Sequence, residues 1–152
     1  MPALRKFVRP SLSFVAATAV TAVLSSVAQT QLNLQALIEM GMTIELPLRM
    51  RSSLSDLINF APLWALIVAV GFALAFPVAW MLHRWVLASR ALWFVLAGAV
   101  SIAVTLALMQ MLLGITVVAA ARSTLGMALL CLSGALGGWI QARYGKASAS
   151  PV

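Results

Sequence analysis

Apolar positions in this chain do not alternate with polar ones, nor do they recur at helical spacing over a polar background. They gather into long unbroken runs. A helix rises about 1.5 Å per residue, so crossing about 30 Å of hydrocarbon takes about 20 predominantly apolar residues. Four stretches meet that requirement: Ser11 to Ala28, Phe60 to Leu82, Ala91 to about Leu113, and about Ser123 to Gln141. None contains a charged side chain. The pattern predicts an all-α integral membrane protein with four transmembrane helices in a compact bundle, forming a single membrane domain over residues 1–152. The apolar run from Ala91 to Ala121 exceeds one untilted crossing, and Gly114, ahead of Ile115-Thr116-Val117-Val118, is the expected site of a tight hairpin.

The polar remainder then falls into connecting segments. Residues 29–59 form the only sizeable stretch outside lipid, and a short helix is expected there, capped by Asn33 and stopped by Gly41. Leu34, Leu37 and Ile38 share one face of that helix, with Gln35 and Glu39 opposite. Such a piece is too short to hold itself in water, so it is read as a connector packed on the helix tops or lying on the membrane. Pro47 interrupts the segment, and Ser53 or Ser55 is the expected cap at the mouth of the second span, with Asp56 at capping-box spacing from Ser53.

Charge fixes the expected orientation. Ten Lys and Arg against three Asp and Glu give a net charge of +7. Alternate crossings put Arg5, Lys6, Arg9, Arg84, Arg90, Arg143 and Lys146 on one side with no acidic residue, and Arg49, Arg51 and Arg122 with Glu39, Glu45 and Asp56 on the other. The positive-inside rule makes the first side cytoplasmic, with both termini there and the protein in the cell inner membrane. The excess positive charge is then a topology signal facing anionic lipid, so no nucleic-acid partner is expected. Trp80, Trp85, Trp93, Trp139 and Tyr144 fall near the cytoplasmic boundary and Trp64 near the other, as an interfacial aromatic belt would. An alternative remains for the first span: Arg5, Lys6 and Arg9 before an apolar stretch ending Ser26-Val27-Ala28 also describe a cleavable secretory signal.

Composition agrees: 63% of residues are hydrophobic and 9% charged, against about 45–50% and about 25% in soluble domains. One cysteine, Cys131, cannot form an internal disulfide, and one histidine, His83, leaves no ligand set for zinc or a bis-His haem. No cofactor or metal is expected. Two groups of residues carry the candidate chemistry. The first is an outer-face charge cluster of Arg49, Arg51, Asp56 and Arg122, in which Arg122 is expected to pair with Asp56 because a basic side chain below the headgroups needs a partner or a route to water. The second is a helix-packing face on the fourth span, where Gly134 and Gly138 are spaced for close backbone approach, internally or between subunits. Pro77 inside the second span is expected to kink it.

Three function classes follow. The first is an accessory or scaffold subunit packing with itself or with a larger membrane complex. The second is a small oligomeric transporter or channel subunit. In helix number the chain is similar to the small multidrug resistance transporters, but those depend on a carboxylate within the membrane, and Glu39, Glu45 and Asp56 all lie outside the spans. The third is an interfacial enzyme acting on phosphate-bearing lipid, with the arginines holding phosphate and a carboxylate as base. The lipid bilayer is the partner common to all three.

Overall fold

The structure is a computed structural model that describes residues 2–114 and 118–145, with residues 2–7 and 113 as backbone only. It is all-helical: α1 (Pro2–Glu39), α2 (Leu46–Asn59), α3 (Ala61–Trp85), α4 (Arg90–Leu113), a short 3-10 helix (Ala119–Arg122) and α5 (Thr124–Tyr144). Helices α1, α3, α4 and α5 are each long and apolar enough to cross a membrane. The expected turn at Ile115, Thr116 and Val117, the side chains of Arg5 and Lys6, and Lys146 lie outside the described residues.

Helix ends follow local chemistry. Ser89 caps α4 by accepting from the Leu92 N–H at 3.2 Å, and Ser123 caps α5 by accepting from the Gly126 N–H at 3.0 Å. Gly114, with φ +64°, ends α4 in a left-handed conformation that carries no Cβ penalty. The Ala119–Arg122 helix precedes the Ser123 cap.

The four long helices pack in the cyclic order α1, α5, α4, α3, each beside its two neighbours. The core is built of Trp64, Val68, Phe72 and Phe76 of α3, Phe94, Ile102 and Leu106 of α4, and Leu130 of α5, with Ala17 and Ala22 of α1. Phe72 stacks on Phe76 with centroids 4.5 Å apart, and Phe76 in turn meets Phe14 edge-on at 6.1 Å and Phe94 at 5.5 Å. Most large apolar side chains outside this core point outward, including Leu63, Leu66, Val70 and Leu74 on α3. In water that would be an aggregating surface; in hydrocarbon it is the ordinary lipid-facing side.

The segment 29–59 departs from expectation. Instead of a short capped helix on the membrane surface, α1 continues unbroken to Glu39, and Asn33 lies within it as an exposed side chain rather than a cap. Gly41 does stop it: with φ +90°, its N–H reaches the Ile38 carbonyl at 2.9 Å and that of Met42 reaches Leu37 at 3.2 Å, a Schellman closure. Pro47 starts a helix rather than interrupting the chain, since the first turn of α2 needs no donor there. Ser53 and Ser55 are therefore interior to α2, with Ser53 Oγ donating to the Arg49 carbonyl at 3.0 Å, and neither is a cap. Phe60 keeps helical dihedrals between α2 and α3, so the two run nearly end to end, interrupted where Pro62 offers no N–H to Ile58.

The 38 residues of α1 extend about 57 Å at 1.5 Å per residue, well beyond the hydrocarbon thickness. Its last turns and α2 thus make a helical hairpin past the apolar bundle. The two are zipped by polar side chains: Thr30 to Asp56 at 2.7 Å and Gln31 to Ser53 at 3.0 Å. The apolar stripe Leu46, Met50, Leu54 and Ile58 of α2 faces outward. Trp64, expected in the outer aromatic belt, is instead fully buried and stacked on Phe60 at 5.9 Å.

Candidate functional site

The expected charge cluster does not assemble. Asp56 accepts from the Thr30 hydroxyl, not from Arg122, and among the described residues Arg122 bridges no carboxylate. Arg122 is exposed at the end of the 3-10 helix, where its side chain has a route to water, the alternative that removes the need for a partner. Arg49 makes a long 3.5 Å contact with Gln35 Oε1, and Arg51 is exposed. Arg49 and Asp56 therefore both tie α2 to α1, while Arg51 of α2 and Arg122 at the end of the 3-10 helix join neither contact. The partner of Asp56 was missed because Thr30 sits in a stretch read as loop, whereas the continuation of α1 brings its hydroxyl onto α2.

Gly134 and Gly138 of α5 lie inside the bundle, packed against α4. A Cβ on Gly138 would collide with the Phe94 carbonyl oxygen, and one on Gly134 would stand 2.5 Å from the Gly98 carbonyl oxygen and from Ile102 Cγ1. Gly98 completes the contact from the other side, since a Cβ there would meet the Gly134 carbonyl. Gly137, one position before Gly138, faces the opposite way: a Cβ on it would run into Thr21 of α1 and lie 2.9 Å from Phe72 of α3. Helix α5 thus meets α4 backbone to backbone on one face and receives the Thr21 and Phe72 side chains on the other, close contacts in which short-range dispersion supplies cohesion.

Helix α1 meets α5 through hydroxyls. Thr21 Oγ1 donates to the Ser133 carbonyl at 3.1 Å, Ser25 and Ser133 hydroxyls lie 2.7 Å apart, and Ser13 donates to Gln141 Oε1 at 2.8 Å. Ser133 also donates to the Leu130 carbonyl at 2.6 Å. Thr18 Oγ1 and Ser26 Oγ are buried on the same side of α1 without a partner among the described residues. Such bonds average about 0.6 kcal/mol in membrane proteins, so the ladder orients α1 more than it holds it.

Two large hollows open at the helix seams among the described residues. A groove of about 810 Å³ runs between α3 and α4, floored by Gly71, Ala75, Ala97 and Ser101 and walled by side chains such as Leu74 and Val100. It is apolar apart from the hydroxyls of Ser101 and Thr105 and the Trp93 ring, and Ser101 Oγ and Trp93 Nε1 have no hydrogen-bond partner among the described residues. The second, of about 750 Å³, lies at the end carrying Arg9, Arg84, Arg90 and Arg143, with Phe14, Phe72, Phe76, Trp80, Arg90 and Phe94 among its walls. At that end His83 Nδ1 lies 3.2 Å from the Ala88 carbonyl, closing the short loop between α3 and α4. Among the described residues no three His, Cys, Asp or Glu side chains converge as a metal site would require. No protein-family model, no curated protein and no solved structure matches this chain.

Proposed function

We propose that the chain is a small multi-pass protein of the cell inner membrane that acts as an accessory or scaffold subunit, packing with a second copy or with a larger membrane complex. The observation that supports this most is the groove between α3 and α4. Its floor of small residues is the surface on which a further helix can come backbone-close, and it is separate from the Gly134–Gly138 face, which the bundle itself uses. Helices α1, α3, α4 and α5 supply hydrocarbon-length spans, and the uneven distribution of Lys and Arg favours both termini on the cytoplasmic side. The bonding of Thr21 and Ser25 to α5 favours a retained first span over a cleaved signal. Transport and interfacial catalysis have less behind them. The α3–α4 groove offers only two hydroxyls and an indole to a polar solute, and the outer arginines and Asp56 do not converge on a shared reacting position.

A photoreactive side chain placed at Leu74 or at Val100, on opposite walls of the groove, tests the reading in intact cells. Irradiation is expected to give a discrete protein adduct from both positions, of twice the chain's mass for a second copy or larger for another subunit. Adducts with lipid alone at both positions would refute the scaffold role.

A further inference from the structure

We propose that the hollow at the basic end binds an anionic, phosphate-bearing lipid, its phosphate against the guanidinium of Arg90 and an acyl chain along the aromatic wall between α1 and α3. The argument begins with charge. The chain's only acidic side chains are Glu39, Glu45 and Asp56. Glu39 ends α1, Glu45 precedes α2 and Asp56 lies within α2, so all three stand at the far end of the bundle from Arg90, the first residue of α4. No carboxylate side chain of this chain therefore neutralises Arg90.

Its surroundings call for one. The Arg90 guanidinium lies over the Phe94 ring at 4.9 Å and donates one Nη bond to the Gly145 carbonyl at 3.1 Å, while Nε is buried with no hydrogen-bond partner among the described residues. The ring attracts the cation, but a buried N–H without a partner is costly, and the charge finds no carboxylate side chain of this chain as counter-ion, so an anion would complete the site. Arg90 also borders a neighbouring hollow of about 440 Å³ together with Trp139 and Arg143. Arg84 stacks over Trp80 at 4.9 Å, and Trp80 forms part of the main cavity's wall. One guanidinium thus lines the cavity and a second rests on a residue of its wall, and guanidinium is the side chain whose fork matches phosphate oxygens.

The walls decide which phosphate. A cavity of about 750 Å³ is of ligand size, but its lining is chiefly Phe14, Phe72, Phe76, Pro77 and Phe94. An inorganic anion would gain nothing from these rings, whereas a hydrocarbon chain joined to a phosphate satisfies both ends. The proposal rests on the helices crossing a bilayer, so the test separates the two claims.

The full chain is reconstituted, and its insertion is checked by resistance to alkaline extraction; extraction as a soluble protein would overturn the membrane reading together with this one. For the inserted protein, native mass spectrometry compares phosphatidylglycerol with phosphatidylcholine of the same chains, and with inorganic phosphate. Phosphatidylglycerol is expected to bind about tenfold more tightly than phosphatidylcholine, and Arg90→Gln to abolish the preference while Arg49→Gln at the far end leaves it intact. Equal binding of the two lipids, or a preference that survives Arg90→Gln, would overturn the site. Inorganic phosphate displacing the lipid at millimolar concentration would reassign the site to a free anion and refute the acyl-chain half. If Arg90→Gln does not fold, quenching of the unmutated protein by brominated lipids decides: brominated phosphatidylglycerol is expected to quench more than brominated phosphatidylcholine, the excess vanishing in Trp80→Phe. Equal quenching by both would overturn the proposal.

Discussion

Adding one methyl group at Gly138 measures how much of the fold depends on the α4–α5 approach. A Cβ there would overlap the Phe94 carbonyl oxygen, and would lie 2.7 Å from the carbonyl carbon and 3.1 Å from Val95 Cα. Carbon and oxygen settle at about 3.3 Å or more. The obstacle is backbone and cannot rotate aside, so the two axes must part by about 1 Å. A gap of that size forfeits about a quarter to a half of each dispersion contact it opens. A seam equivalent to one buried leucine, about 40–60 atom pairs at about 0.1–0.2 kcal/mol each, holds about 4–12 kcal/mol gross, so the loss is about 1–6 kcal/mol, centred near 3. Gly71→Ala is the matched control. Its Cβ would stand 2.6 Å from Ser101 Oγ and 3.3 Å from Thr105 Oγ1, both of which can turn away for about 0.5–1 kcal/mol. Unfolding in mixed micelles by added sodium dodecyl sulfate, followed by tryptophan fluorescence, reads both variants. If Gly138→Ala stays within about 0.5 kcal/mol of the parent, or Gly71→Ala costs more, the close approach of α4 and α5 does not hold the bundle.

Ser133→Ala removes the bond with Ser25 but leaves the Ser133 carbonyl for Thr21, so the same titration is expected to show a loss below about 1.5 kcal/mol, clearly less than Gly138→Ala. With Cys131 replaced by alanine, a cysteine at Met42, in the turn after α1, is expected to react with an impermeant maleimide on intact cells, and one at Leu87, between α3 and α4, only after permeabilisation; the reverse pattern would invert the proposed orientation. The intact mass of the purified protein is expected to include α1. A species starting at Gln29 would leave Ser133 without Thr21 and Ser25, and would identify the first span as a removed signal.

The spans were legible because hydrocarbon imposes a length and forbids charge, and both constraints act within a single segment. Gly41 and Gly114 were visible as helix ends for a similar reason, since a residue that takes positive φ freely stops a helix locally, whereas Asn33, Ser53 and Ser55, expected as caps, lie inside helices. What escaped depends on a second element. Gln29, Thr30 and Gln31 read as a connector ahead of a short helix capped at Asn33, because a polar run beyond a span is ordinarily solvated. They continue α1 where α2 folds back, with Asp56 meeting Thr30, Ser53 meeting Gln31 and Arg49 meeting Gln35. Trp64 was placed at the interface by its position near a helix end, but its burial is decided by the packing of Phe60 and the helices around it. Gly134 and Gly138 announced a close contact without naming the partner, since spacing on one helix carries no information about Gly98 and Phe94 on another.

The pairing of α1 with α5 has a consequence for how the chain is made. Helix α1 leaves the ribosome well before α5, on which it finds the acceptor for Thr21 and the hydroxyl partner of Ser25, with Ser133 following them by 112 and 108 residues. Until α5 is made, the small polar stripe of α1 lacks its native counterpart and must bond back to its own helix or to lipid headgroups. A nascent chain halted before α5 therefore exposes an unsatisfied span within the bilayer, the kind of defect by which a quality-control protease can tell an unfinished protein from a complete one.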